Sequence, residues 1–171
     1  MSSVETTTSV PDRAKCIGDD PPRSQRGDWT WELIKEFPRQ GEWTEEEYLH
    51  LPSDVRAELV DGCLEFQSVP TWVHAWIVLW LHDELRKIVR SRKLGYTAVA
   101  PVRVRTVGES IREPDIVWVT VTQLPNPLEP SHGAQLVMEV VSEGSSDKRR
   151  DREEKRTEYA QAGIPEYWIV D

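Results

Sequence analysis

The chain has 171 residues, 38% of them hydrophobic and 30% charged, which is room for one core with a tail; no apolar run approaches the ~20 residues of a membrane span. A formal net charge of −9 argues against a protein that holds nucleic acid by a broad electrostatic footprint, because that needs clustered Lys and Arg. The imbalance sits early: thirteen acids face seven bases up to Glu58, and seventeen face fourteen afterwards, where RKIVRSRK, Arg103, Arg105 and KRRDREEKR leave room for local positive surface.

The opening MSSVETTTSV lacks the basic start and apolar stretch of a secretory signal, so a cytoplasmic protein is expected. Cys16 and Cys63 have no metal-ligand spacing and read as incidental. Residues 1–27, rich in Ser, Thr, Pro, Asp and Arg without periodicity, read as a disordered tail, and residues 28–171 as the folded domain. Trp29, Trp31, Leu33 and Phe37 are expected to dock on that domain. Thr44 and Glu47 fit a capping box that starts a short helix to Leu51.

AELVDGCLEFQS reads as a hairpin, because Asp61-Gly62 supplies the positive φ angles of a two-residue turn. From Thr71 to about Arg90 the spacing of His74, Val78, Leu81, Leu85 and Ile88 is helical. Strands are expected at Tyr96–Arg105, Ile111–Val121 and Gln135–Ser142, separated by Gly108 and the loop PNPLEPSHG. Ser146 or Asp147 would cap a second long helix, which Gly163 and Pro165 terminate before the strand EYWIVD. This order predicts an α/β fold with a mixed central sheet flanked by helices. The abrupt stop at Asp171 suggests a domain truncated at its C-terminus.

Two acids stand in apolar strand-like surroundings: Asp115, after Pro114, and Glu139, inside QLVMEVVS. A buried carboxylate is costly unless paired or bound to a metal, so acids on neighbouring strands point to a divalent ion, while backbone donors or an Arg partner from nearby Arg103, Arg105 or Arg112 are the plainer alternative. Asp151, Lys155 and Tyr159, spaced i, i+4, i+8, line one helical face, which either turns Lys155 inward or carries a solvated ion pair. Alternation places Glu58 and Val60 on one face of their strand, towards a cleft or water. His74 opens the core helix on its apolar side, where a packing role is the ordinary one. The stripe Trp72, Trp76 and Trp80 fits packing against the tail or a partner subunit, including a homodimer, better than base stacking.

Together, ELVDG, the helix opened by His74, REPDIVWV and LVMEVVSEGSSDKRRDREEKRTEYAQAGIPEYWIVD resemble the Uma-two-type family of bacterial endonucleases, within the PD-(D/E)XK, restriction-endonuclease-like superfamily. The resemblance covers about Thr44 to Asp171. It implies that Glu58, Asp115 and Glu139 ligate Mg²⁺ or Mn²⁺, with Asp115, Glu139 and Lys155 catalytic and DNA as the partner. His74 matches a family position without a defined role; Asp151 and Tyr159 are accessory candidates. The superfamily pattern has its lysine two residues after the second acid, where Val141 stands here, and the following helix supplies Lys155 instead. The expected activity is hydrolysis of DNA phosphodiester bonds. A catalytically silent interaction or regulatory protein of the same fold is the alternative, and a two-carboxylate glycosidase a weaker one, since it leaves Lys155 without a task.

Overall fold

Thr44 caps the first helix, α1 (Glu45–Leu49), and the capping box is reciprocal: Thr44 Oγ1 accepts from the Glu47 backbone N–H at 3.2 Å, while Glu47 Oε2 accepts from that of Thr44 at 2.9 Å. The structure, a computed structural model, describes residues 37–52, 55–67, 69–141 and 150–171. The expected tail over 1–27, the docking of Trp29, Trp31 and Leu33, and a cap at Ser146 or Asp147 lie outside them. Strands β1 (Ala57–Val60) and β2 (Cys63–Phe66) form the anticipated hairpin, with Asp61 at φ 47° and Gly62 at φ 74°. Thr71 caps α2 (Trp72–Ser91) through its hydroxyl. The inward stripe of α2 ends on Val89 rather than Ile88, which is half-exposed; four residues after Leu85 completes the helical turn that three leave short.

Two of the expected strands are each cut in two. Tyr96–Arg105 becomes β3 (Tyr96–Val99) and β4 (Val104–Arg105), with Pro101 between them, and Ile111–Val121 becomes β5 (Ile111–Arg112) and β6 (Ile116–Val119), with Pro114 between them. Proline has no N–H to give a ladder, so each break lets the chain leave one sheet and join another. A further short strand, β7 (Ser131–His132), lies inside the segment read as loop and pairs parallel to β4. The last strands are β8 (Leu136–Val140) and β9 (Glu166–Val170), parallel neighbours joined through a π-helical turn, Arg150–Glu154, and helix α3 (Lys155–Gln161).

The mixed α/β architecture is as expected, but the strands form two mixed sheets, ordered β2-β1-β5-β4-β7 and β3-β6-β8-β9, rather than one. Strand β8 is buried along its whole length, and its alternation decides which side each residue serves. Leu136, Met138 and Val140 pack with Val78 of α2, whereas Val137 packs with Tyr159 of α3. Glu139 therefore shares the α3 side with Val137. Leu59, on the first sheet, packs with Trp43, Tyr48 and Ile111, so its neighbour Glu58 faces the other way.

Candidate active site

Four elements deliver charged side chains to the junction between the sheets. The antiparallel register of β6 and β8 pairs Ile116 with Met138, so Asp115 and Glu139 stand one residue further along the same ladder. Their proximity is visible in a bond: the Val140 N–H donates to Asp115 Oδ2 at 2.8 Å. From β1, Glu58 enters fully buried, and from α3, Lys155 enters with 1% of its surface exposed. The ammonium lies 2.7 Å from Glu139 Oε1, 3.3 Å from Glu58 Oε1 and 3.7 Å from Asp151 Oδ1. Tyr159 donates to Glu139 Oε1 at 3.2 Å, and His74 Nε2 lies 3.1 Å from Asp115 Oδ2. All seven residues singled out in the sequence thus surround one point, and the helical face of Asp151, Lys155 and Tyr159 points inward.

Electrostatics follows from that crowding. Burial alone would raise the Glu58 carboxyl, but Lys155 and Arg112 hold it down to about 2, helped by the Glu113 N–H at 2.9 Å. Burial pushes the Glu139 carboxyl up to about 7 against the pull of Lys155, with Asp115 and Glu58 adding to the rise. Burial would lower Lys155, but Glu139, Glu58 and Asp151 keep its ammonium above the usual lysine range. The His74 ring is raised chiefly by its hydrogen bond with Asp115.

A pocket of about 40 Å³ opens on the cluster, lined by Arg56, Gln67, His74, Asp115, Glu139 and Lys155 among others. Among the described residues no group of three or more His, Cys, Asp or Glu side chains is arranged to hold a metal ion; the central charge between the carboxylates is the ammonium of Lys155. Oxygen donors of the kind a hard cation takes do line the pocket. Glu113 Oε2 and Asp151 Oδ1 are buried oxygens without a hydrogen-bond donor, and both residues line the pocket beside Asp115 and Glu139.

Of three further neighbours, Arg56 and Glu113 escape a reading of the sequence, and Arg112 is expected there only as an alternative partner of Asp115 or Glu139, whereas it pairs with Glu58. Arg112, buried, pairs with Glu58 at 2.9 Å, Glu65 at 2.8 Å and Glu158 at 2.5 Å, and so holds Glu58 from behind. Arg56 lines the pocket with its Nη2 donating to Gln67 at 3.2 Å, and its buried Nε has no partner among the described residues. Glu113 receives Tyr48 and Arg103 at 3.3 Å each. Their only signal is adjacency: Arg56 two before Glu58, and Arg112-Glu113 just before Pro114-Asp115.

The family model described as "Putative restriction endonuclease", Uma2, matches residues 45–171. The chain belongs to the Uma2 family. The match begins at α1 and takes in every strand, so it includes all seven site positions. Among solved structures, the chain is similar to the crystal structure of "a putative nuclease belonging to DUF820" from Anabaena variabilis, at 17% identity and a TM-score of 0.52. The likeness covers 63% of this chain and 64% of that one, and at such identity it concerns the fold. No curated protein matches the chain.

Proposed function

We propose that this Uma2 chain is a metal-dependent endonuclease that hydrolyses DNA phosphodiester bonds. The observation that carries the reading is the buried Lys155 ammonium, 2.7 Å from Glu139 and in one pocket with Asp115. A lysine on a polar helix has no need of that position for solubility or packing, and the family description and the neighbouring fold support a nuclease.

In this reading Asp115 and Glu139 hold Mg²⁺ or Mn²⁺, and Glu58 supports them. The bound ion supplies charge neutralisation at the phosphate and a lowered pKa for water. Lys155 would donate to a phosphate oxygen as water adds to phosphorus, the water losing a proton to solvent, and as the bond to the leaving sugar oxygen breaks, that oxygen taking a proton from solvent in turn. The lysine charge therefore counts most where negative charge builds up. His74 fixes the Asp115 carboxylate from α2, and Tyr159 orients that of Glu139. Arg56, at the rim, is placed for a neighbouring phosphate. A glycosidase fits poorly, because an ammonium wedged between two carboxylates leaves no room for a sugar ring.

The test is cleavage of plasmid DNA by the purified chain in Mg²⁺ or Mn²⁺, with chelator and Lys155→Met as controls. Metal-dependent nicking that the variant loses supports the proposal. Absence of both cleavage and calorimetric metal binding overturns it. Metal binding without turnover would instead favour the catalytically silent interaction protein, a reading to which the exposed tryptophans of α2 lend weight.

A further inference from the structure

The outer face of α2 is explained neither by the core nor by the pocket. Trp72, Trp76 and Trp80 follow one another at helical spacing and are 78%, 63% and 65% exposed. The rings of Trp72 and Trp76 lie 6.2 Å apart, and Val73 and Leu79, both more than half exposed, widen the strip. A tryptophan offers roughly 150–250 Å² of contact surface, so these five side chains leave on the order of 600 Å² uncovered, at the top of the range for apolar patches on soluble monomers. Phe66 and Val69 are also exposed on the chain leading into α2, and the strip alone approaches the ~800 Å² that is one partner's share of a standard interface.

The charge layout narrows the occupant. From Trp72 to Trp80 the helix carries no Asp, Glu, Lys or Arg. Beyond it, Asp83 pairs with Arg86 at 3.5 Å and Glu84 with Lys87 at 2.6 Å, so the charges at the patch edge are already matched within the helix. A nucleic-acid strand stacked on the tryptophans would find no basic residue on that stretch to neutralise its phosphates. A surface that is aromatic, uncharged and bordered by self-compensated ion pairs is complementary to itself, which is the property an isologous two-fold contact requires.

We propose that this face is a homodimer interface, in which two α2 helices cross antiparallel near Trp76. The tryptophans form its centre, where aromatic side chains usually carry most of the binding energy. The opposite side of the same helix delivers His74 to Asp115, so association joins two pockets in one particle. The proposal does not depend on the nuclease reading.

Light scattering of the full chain after size exclusion, over a dilution series, tests it. The expected mass is twice the 19.7 kDa of one chain. Trp76→Glu should weaken association at least a hundredfold with the far-UV circular dichroism unchanged. Should that variant lose its helical signal, the double variant Trp72→Ser with Trp80→Ser, at two still more exposed positions, gives the same reading. A wild-type chain that stays monomeric at every concentration, or a dimer that persists in either folded variant, overturns the proposal.

Discussion

Lys155 Nζ lies 2.7 Å from Glu139 Oε1, across sixteen residues of sequence and with both side chains almost wholly withdrawn from water. Removing two charges from water costs several kcal/mol each, and a single contact in the interior seldom repays that without further hydrogen bonds. Here Glu58, Asp151 and Tyr159 supply the remaining contacts, which ties the fate of the pair to the whole cluster.

Lys155→Met should reduce DNA cleavage by a hundredfold or more, because it removes a donor aimed at developing charge. It should also destabilise the fold, since Glu58 and Glu139 remain buried without their cation, at about 3–5 kcal/mol. Thermal melting of the variant, alone and with saturating Mn²⁺, reads both effects. A melting temperature equal to that of the wild type would show that the ammonium is not held as described.

Stability should change in opposite directions on the two sides of pH 4.5. The folded Glu139 carboxyl keeps its proton up to about 7 against an ordinary 4.5, so between those values the native state binds more protons and stability falls as pH rises. That window is worth on the order of 3 kcal/mol. Glu58, held at about 2, acts the other way: its contribution is present above 4.5 and lost as pH falls towards 2. Urea unfolding at pH 4.5 and 7.5 should show a decline in the wild type that Glu139→Gln flattens; equal slopes would refute the assignment.

Divalent metal should stabilise the chain by mass action, about 2.7 kcal/mol at a hundred times Kd. Asp115→Asn should abolish most of that gain while leaving the metal-free melting temperature within a few degrees, because the Val140 N–H can still donate to the amide oxygen. Differential scanning calorimetry with and without Mg²⁺ distinguishes this from a fold defect.

Arg112 and Arg56 should separate a structural role from a functional one. Arg112→Met strands Glu58 in the interior and weakens the hold on Glu65 and Glu158, so it should lower stability by about 3–5 kcal/mol whatever the substrate. Arg56→Met should leave melting nearly unchanged yet weaken DNA binding and reduce its salt slope by about one phosphate contact. Fluorescence anisotropy at several salt concentrations checks the second outcome, and an unchanged slope would place Arg56 outside the substrate path.

Local patterns were legible where a few neighbouring residues decide the outcome. The Thr44–Glu47 box and the Asp61-Gly62 turn act through short-range hydrogen bonds and φ preferences, and the sequence places both of them where the structure has them. Pro101 and Pro114 show the limit. Each interrupts a ladder that the strands expected over Tyr96–Arg105 and Ile111–Val121 carry straight through, and that the chain then crosses to a second sheet depends on partners far along the sequence.

The chemistry divides in the same way. By itself the sequence determined that Glu139 sits in an apolar strand, that Asp115 adjoins one, and that Asp151, Lys155 and Tyr159 share a helical face, because periodicity is a property of adjacent residues. Only the tertiary structure decided that this face turns inward, that Glu58 from the other sheet meets the same ammonium, and that Arg112 holds it from behind. Those choices balance the desolvation of each charge against the charges facing it, and that balance exists only once chain-distant segments are packed together.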